Sequence, residues 1–237
     1  MEEFFENGVF SGTIAGKDGL SRLPAEYKDM VRKVAVAHMV NEMAGAEAFD
    51  VPAVALAKTA EDKWMALQIA QEEYGHHVHF ARLARTLDVD PESVDFRERA
   101  NNIFKIHTDS WIEFLMVKAI VDLGEIVMVD DLMESSYLPL KELSIKTLPE
   151  ERFHTGFGRR RLQDVCKTEE GRAEAQLAAG KLYPVMLQFF GGSVSRNNEL
   201  YRKWRIKRRT NDEMRADYTS RVDEVLTDLG LHLPAAA

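Results

Sequence analysis

Residues 71–79, Gln71-Glu72-Glu73-Tyr74-Gly75-His76-His77-Val78-His79, hold the pattern Glu-x-x-His at Glu73 and His76. Residues 149–155, Pro149-Glu150-Glu151-Arg152-Phe153-His154-Thr155, hold it again at Glu151 and His154. Residues three apart on a helix project from one face, so each copy aims a carboxylate and an imidazole at a common point. One copy alone carries little weight, because glutamate and histidine are frequent on solvated helix faces. Two copies with apolar neighbours, Leu67 and Ala70 before the first and Phe153 and Phe157 around the second, indicate two inward-facing surfaces.

Two such helices, with one further carboxylate from each of two others, make up the donor set of di-iron and di-manganese four-helix bundles. The chain offers those two other helices. The first reads from Pro24, a residue favoured at helix starts, to Pro52. Val31, Val34, Ala35, His38, Glu42 and Ala46 fall on one of its stripes. A carboxylate buried in an apolar stripe is costly without a partner, which makes Glu42 a ligand candidate. His38 lies one turn earlier, and Glu47 competes from nearer the helix end. The second helix, about 59–86, carries the first Glu-x-x-His. The third, about 106–133, offers Asp122 and Glu125 one turn apart, either of which could supply its carboxylate. The fourth, about 139–165, carries the second Glu-x-x-His. Pro149, two residues before Glu151, requires a kink or a helix restart there, and a kink holds the ligand more firmly. A shorter helix at about 171–190, a basic stretch from Arg202 to Arg209 and a last helix to about Leu229 follow. The expected fold is all-α, a ferritin-like four-helix bundle with additional C-terminal helices. An irregular Gly-rich arm spans 1–22, and one domain spans 23–237, with its basic tail region from about 196.

The composition narrows the function classes. Of 237 residues, 45% are hydrophobic and 30% charged, which suits a globular protein, and a net charge of −8 argues against a nucleic-acid partner. Cys166 is the single cysteine, so no intrachain disulfide or thiolate metal site is available, and a reducing cytoplasm is the expected compartment. The acidic start, MEEFFENGVFSG, lacks the basic and apolar regions of a signal peptide. The most apolar long run, Trp111 to Val129, carries Glu113, Lys118, Asp122 and Glu125, which suits a buried helix and not a bilayer span. Mixed carboxylate and imidazole donors suit iron, and manganese could occupy the same shell. Metal-bound histidines need an acceptor for the second ring nitrogen, which nearby acids can provide. His77 and His79 read as surface or packing residues, and His38 as a core histidine or such a supporting group. The basic run reads as a solvated or salt-bridged face, with phosphate binding the sharper option.

The chain resembles the catalytic subunit of the phenylacetyl-CoA monooxygenase (ring epoxidase) family of phenylacetic acid catabolism. The matching stretches are His38-Met39-Val40-Asn41-Glu42-Met43-Ala44-Gly45, Glu72-Glu73-Tyr74-Gly75-His76, Val121-Asp122-Leu123-Gly124 and Glu151-Arg152-Phe153-His154. The tail from Trp204 to Arg215 and the closing Leu229-Gly230-Leu231-His232-Leu233-Pro234 also match. The resemblance implies Glu42, Glu73, His76, Asp122, Glu151 and His154 as ligands of two non-haem irons, favouring Asp122 over Glu125. It implies dioxygen as co-substrate and an acyl-CoA substrate such as phenylacetyl-CoA, with Lys207 and Asn211 near the phosphate-bearing part of CoA. One oxygen atom would enter the aromatic ring as an epoxide and the other leave as water. It further implies a structural sister subunit, a flavin/iron–sulfur reductase supplying electrons from NADPH, and a homo- or hetero-oligomer. Two positions depart from the family pattern. Ile69 stands where a basic residue is usual one turn before the first motif's glutamate, and Gly191-Gly192-Ser193 replaces an expected Gly-Pro-Pro. The alternatives are a ferritin-like di-metal protein with another substrate, or a non-catalytic structural subunit of the same complex.

Overall fold

Each long helix starts where the sequence supplies a means of starting it. In the computed structural model, which describes residues 5–6 and 8–235, a two-residue ribbon opens the described chain. Its strands are β1 (Phe5–Glu6) and β2 (Val9–Phe10), paired antiparallel. A short helix α1 (Lys17–Ser21) leads to α2 (Ala25–Gly45), entered through Pro24. A π-helical turn at Ala46–Asp50 joins α2 to α3 (Val51–Leu56). Thr59 caps α4 (Ala60–Thr86), its hydroxyl accepting from Asp62 N at 3.0 Å. A connection with the one-turn helix α5 (Phe96–Arg99) follows. Ser110 then caps α6 (Trp111–Met116), which passes through a second π turn at Val117–Val121 into α7 (Asp122–Leu132). Next come α8 (Leu138–Val165), α9 (Glu169–Phe189), α10 (Arg196–Lys203) and α11 (Asn211–Asp228).

Four rods form the central bundle: α2–α3, α4, α6–α7 and α8. Along their length the buried apolar residues fall into two clusters. One holds Tyr27 to Val40 of α2, Phe80 to Ala84 of α4, Leu140 of α8, and Phe10 and Trp204. The other holds Phe49, Ala66 and Ile69, most of α6–α7, Leu148 to Leu162 of α8, and the inner faces of α9 and α11. On α2 and α4 the expected donors lie between the two clusters, whereas Asp122 on α7 and Glu151 and His154 on α8 are flanked by residues of the second. Apolar residues on both sides of this polar middle layer exclude water from it.

Three boundaries differ from the sequence reading. Pro52 does not end the first rod, because the π turn just before it re-registers the chain. Pro52 then sits in the first turn of α3, where a missing N–H costs least. The third rod starts at Trp111, not near Ile106, since Ser110 is the capping residue. Pro149 lies inside a continuous α8, so the helix does not restart there. The carbonyl it leaves unserved belongs to Ile145, which is 47% exposed and open to water. Gly158 explains the tight contact of α8 with the third rod. A Cβ there would lie 2.7 Å from both Ala119 N in the π turn and Leu115 O at the end of α6. The basic stretch leaves the helix after Lys203, with Arg205 at φ 50°. It is tied down by buried Asp131, whose carboxylate accepts from the backbone N–H groups of Arg208 (3.1 Å) and Arg209 (3.3 Å).

Candidate metal centre

Two donor groups share two glutamates in the middle layer. Glu42, Glu73, His76 and Glu151 form one, and Glu73, Asp122, Glu151 and His154 form the other, all of them buried. Nδ1 of His76 lies 3.1 Å from Glu151 Oε1, 3.5 Å from Glu42 Oε2 and 3.6 Å from Glu73 Oε2. Nδ1 of His154 lies 3.1 Å from Glu73 Oε1, and 3.9 Å from both Glu151 Oε2 and Asp122 Oδ2. Despite this closeness, both Nδ1 atoms and Asp122 Oδ2 lack a well-aligned hydrogen bond to any described residue. The atoms converge on points between them, not on one another. Metal–ligand bonds of about 2.1 Å put adjacent ligand atoms about 3 Å apart, so the residues present fit a pair of cations with Glu73 and Glu151 common to both.

The histidines are oriented by a reciprocal exchange between the two motifs. His76 Nε2 donates to Glu150 Oε2 at 2.7 Å, and His154 Nε2 donates to Glu72 Oε2 at 2.8 Å. Each motif is thus Glu-Glu-x-x-His: the second glutamate faces the centre, while the first holds the other motif's histidine. A carboxylate can only accept, so Nε2 carries the proton and Nδ1 is turned toward the centre. The doubled glutamates were visible in the sequence; their crossing was not, since it depends on how α4 and α8 pack. Substituting Glu72→Gln or Glu150→Gln should weaken metal binding by about 10- to 100-fold without changing the fold. Metal titrations alongside circular dichroism check this.

The sequence reading missed a buried ion-pair cluster around one lysine. Lys118 Nζ lies 2.8 Å from Asp50 Oδ1, 3.1 Å from Asp122 Oδ2 and 3.2 Å from Glu73 Oε1, and its side chain is 2% exposed. Lys118 and Asp50 stand on the two π turns. A π turn inserts a residue into the helical register, and such insertions are frequent at functional sites. Ile69 is fully buried and apolar, and the cation beside Glu73 comes instead from Lys118 on the third rod.

Electrostatics set the protonation of the metal-free site. Burial pushes Glu42 up to about 8 and raises Asp122 well above the carboxylate range, against the pull of Lys118 on Asp122. Burial acts the same way on Glu73, but Lys118 and the two histidines prevail and hold it well below its ordinary value. For the histidines burial is opposed by their carboxylate partners. These raise His154 to about 10 and His76 well above the histidine range. Without metal, therefore, the centre stores protons on Glu42, Asp122 and both rings, and cations must displace them.

The other residues singled out in the sequence are placed as follows. Glu125 is not in either donor group and faces His38 and Glu42 instead. Glu47 is on the surface, 3.8 Å from Arg97. His77 Nδ1 donates to Met39 O at 2.8 Å, and His79 Nε2 lies 2.8 Å from Lys146 Nζ; both are packing or surface roles. Lys207 and Asn211 are 7% and 8% exposed. The Lys207 ammonium lies against Met128 Sδ at 3.8 Å, and the Asn211 amide donates to Gly192 O at 2.8 Å. A groove of about 580 Å³ opens between α4 and α8, lined by Trp64, Gln68, Phe153, Phe157, Arg160 and Arg161 among others. Its Gln68 donates to Glu72, the residue that holds His154.

A four-helix bundle with two carboxylate–histidine groups joined by shared glutamates is the ferritin-like fold with the donor arrangement that fits a metal pair. The chain belongs to the family described as phenylacetic acid catabolic protein, whose model matches residues 22–237. It is 28% identical over 186 residues, 75% of this chain, to one of the subunits of 1,2-phenylacetyl-CoA epoxidase from Escherichia coli (strain K12). The match spans 60% of that relative's length. Among solved structures it is similar to a protein from Synechococcus with aldehyde deformylating oxidase activity. The TM-score is 0.69, with 89% of this chain and 94% of that one covered. At 16% identity this is a likeness of fold.

Proposed function

We propose that this chain is the oxygenase component of a multicomponent di-iron monooxygenase that epoxidises the aromatic ring of an acyl-CoA thioester such as phenylacetyl-CoA. The observation that carries the reading is the complete buried donor set with its crossed glutamates, in a chain of this family. A structural subunit has no use for six buried donors, two of them oriented by dedicated partners. Glu42, Glu73, His76, Asp122, Glu151 and His154 would hold two irons, with manganese the competing occupant. Bound irons would supply the electrons and the coordination site for activating dioxygen.

The chain's own residues hold and orient that centre. Glu72 and Glu150 fix the imidazoles, Lys118 offsets the surplus negative charge, and the two apolar clusters keep bulk water out. The aromatic groove at Trp64, Phe153 and Phe157, with Arg160 at its side, suits an aromatic thioester with an anionic handle, while Arg161 there is paired with Glu61 and Asp62. Lys207 and Asn211 would meet the phosphate-bearing end only if the tail shifted from its present packing. A flavin/iron–sulfur reductase drawing on NADPH, a structural sister subunit and a cytoplasmic setting complete the proposal. Among the described residues no helix is long and apolar enough to cross a membrane.

The test is metal analysis of protein from iron-supplemented cells, with calorimetric titration of phenylacetyl-CoA. About two irons per chain and saturable thioester binding support the reading; two irons with no thioester binding move the substrate elsewhere, and no metal sinks it. Loading should also depend on pH. Each proton displaced from Glu42 (about 8) or His154 (about 10) makes apparent affinity rise about tenfold per pH unit below those values. The metal-free fold runs the other way. Groups whose pKa is raised on folding stabilise it at low pH, and that stability is lost as pH climbs through about 8 and 10. The metal-induced rise in melting temperature should accordingly be larger at pH 8 than at pH 6. Equal rises would refute the stored-proton account.

A further inference from the structure

Glu125 is the interior acid of the third rod that the paired donor groups leave unused. Its Oε2 is buried and has no hydrogen-bond partner among the described residues. It lies 4.0 Å from Nδ1 of His38, which is equally without a partner. His38 is 3% exposed, and its ring is stacked on Phe80 with centroids 4.9 Å apart and planes at 15°. A separation of 4.0 Å is too long for a hydrogen bond, yet it suits two ligands on opposite sides of one small cation. One ligand atom each from His38, Glu42 and Glu125 lie within 4.8 Å of one another.

We propose that His38, Glu42 and Glu125 form a third cation-binding group for a first-row divalent ion, with Glu42 shared between it and the neighbouring half-site. The inference rests on the reading that the neighbouring cluster holds a metal pair. One imidazole and two carboxylates are donors that suit Mn(II), Fe(II) or Zn(II). Stacking on Phe80 holds the plane of the His38 ring, and its unpartnered Nδ1 faces Glu125. The Glu125 side chain is 14% exposed, whereas those of Glu42, Glu73, Asp122 and Glu151 are 2–9% exposed. The third group adjoins the pair through Glu42, and Glu125 is its least buried side chain. Lys207 is the opposing charge: its buried ammonium acts on both His38 and Glu125, although Asp131 also offsets it. The third ion is therefore held more weakly than the pair.

Equilibrium dialysis of the metal-free full chain against Mn(II), with elemental analysis, tests this. Wild type should saturate at about three ions per chain, the third at higher concentration, and His38→Leu and Glu125→Gln at about two. Anomalous diffraction from manganese-soaked wild-type crystals should add a peak between His38 and Glu125, a readout independent of either variant's folding. Saturation of wild type at about two ions, or retention of the third by His38→Leu, overturns the proposal and leaves the pair intact. If wild type binds no manganese, the paired centre itself fails and the third group with it.

Discussion

Glu151→Gln and Glu73→Gln should each reduce the metal held by the paired centre from about two ions per chain to below one, whereas Asp122→Asn should leave about one there. The difference follows from membership. Glu73 and Glu151 belong to both groups of the pair, whereas of these two groups Asp122 and His154 belong to the second alone and Glu42 and His76 to the first alone. Amides are poor ligands for a divalent ion beside a carboxylate and cannot bridge two. A substitution at a shared position therefore strips both half-sites, while one at an unshared position strips its own. On the proposed function turnover needs both metals and should fall to background in all three variants, so activity alone would not separate them. Metal stoichiometry would, together with the Mn(II) resonance, which changes from an exchange-coupled pair to an isolated ion in Asp122→Asn. If Asp122→Asn lost both ions and Glu151→Gln kept one, the assignment of shared and unshared ligands would be wrong. Glu125→Gln is the internal control, because both ions of the pair should remain.

Local spacing made the rods legible, and with them the inward faces that carry Glu42, Glu73, His76, Glu151 and His154. Glu-x-x-His lies on one helical face wherever the helix goes, and Glu42 interrupts an apolar stripe that a 3.6-residue period makes visible. What escaped was set by packing between rods or by breaks in that period. Asp50 and Lys118 stand on the two π turns, where one extra residue per turn rotates every following side chain by about 100° relative to a regular helix. A regular wheel cannot relate Asp50 to Glu42, or Lys118 to the start of α6. Pro52 misled for the same reason, since the turn before it makes a helix interior behave as a helix start. The choice between Asp122 and Glu125 was undecidable from spacing because both point inward, to different groups. The crossing of Glu72 and Glu150 needed the relative height of α4 and α8. Gly158, at the closest approach of α8 to the third rod, helps to fix how α8 seats.

Lys118→Met should destabilise the metal-free protein by about 3–5 kcal/mol, which is about 10 °C in melting temperature for a chain of this size. The ammonium it removes lies within 3.2 Å of Asp50, Glu73 and Asp122, and all four side chains are at least nine-tenths buried. Asp122 can relieve the loss by staying protonated, as burial already favours. Asp50, pushed up by burial only to about 6, and Glu73, held low by that same lysine, cannot do so without cost at neutral pH. Two comparisons isolate the cause. Adding Asp50→Asn to Lys118→Met should restore most of the stability, because the double variant buries no unpaired charge from the pair. A double-mutant cycle would then show strong interaction between the two sites. Metal should rescue the single variant in part, since cations at the second half-site neutralise Glu73 and Asp122 and leave Asp50 the one uncompensated group. Its melting temperature should thus rise more on loading than that of wild type. A Lys118→Met protein that melts within about 2 °C of wild type in the metal-free state would show that the lysine is not the counter-charge of this centre. The distances would then reflect packing of the π turns alone.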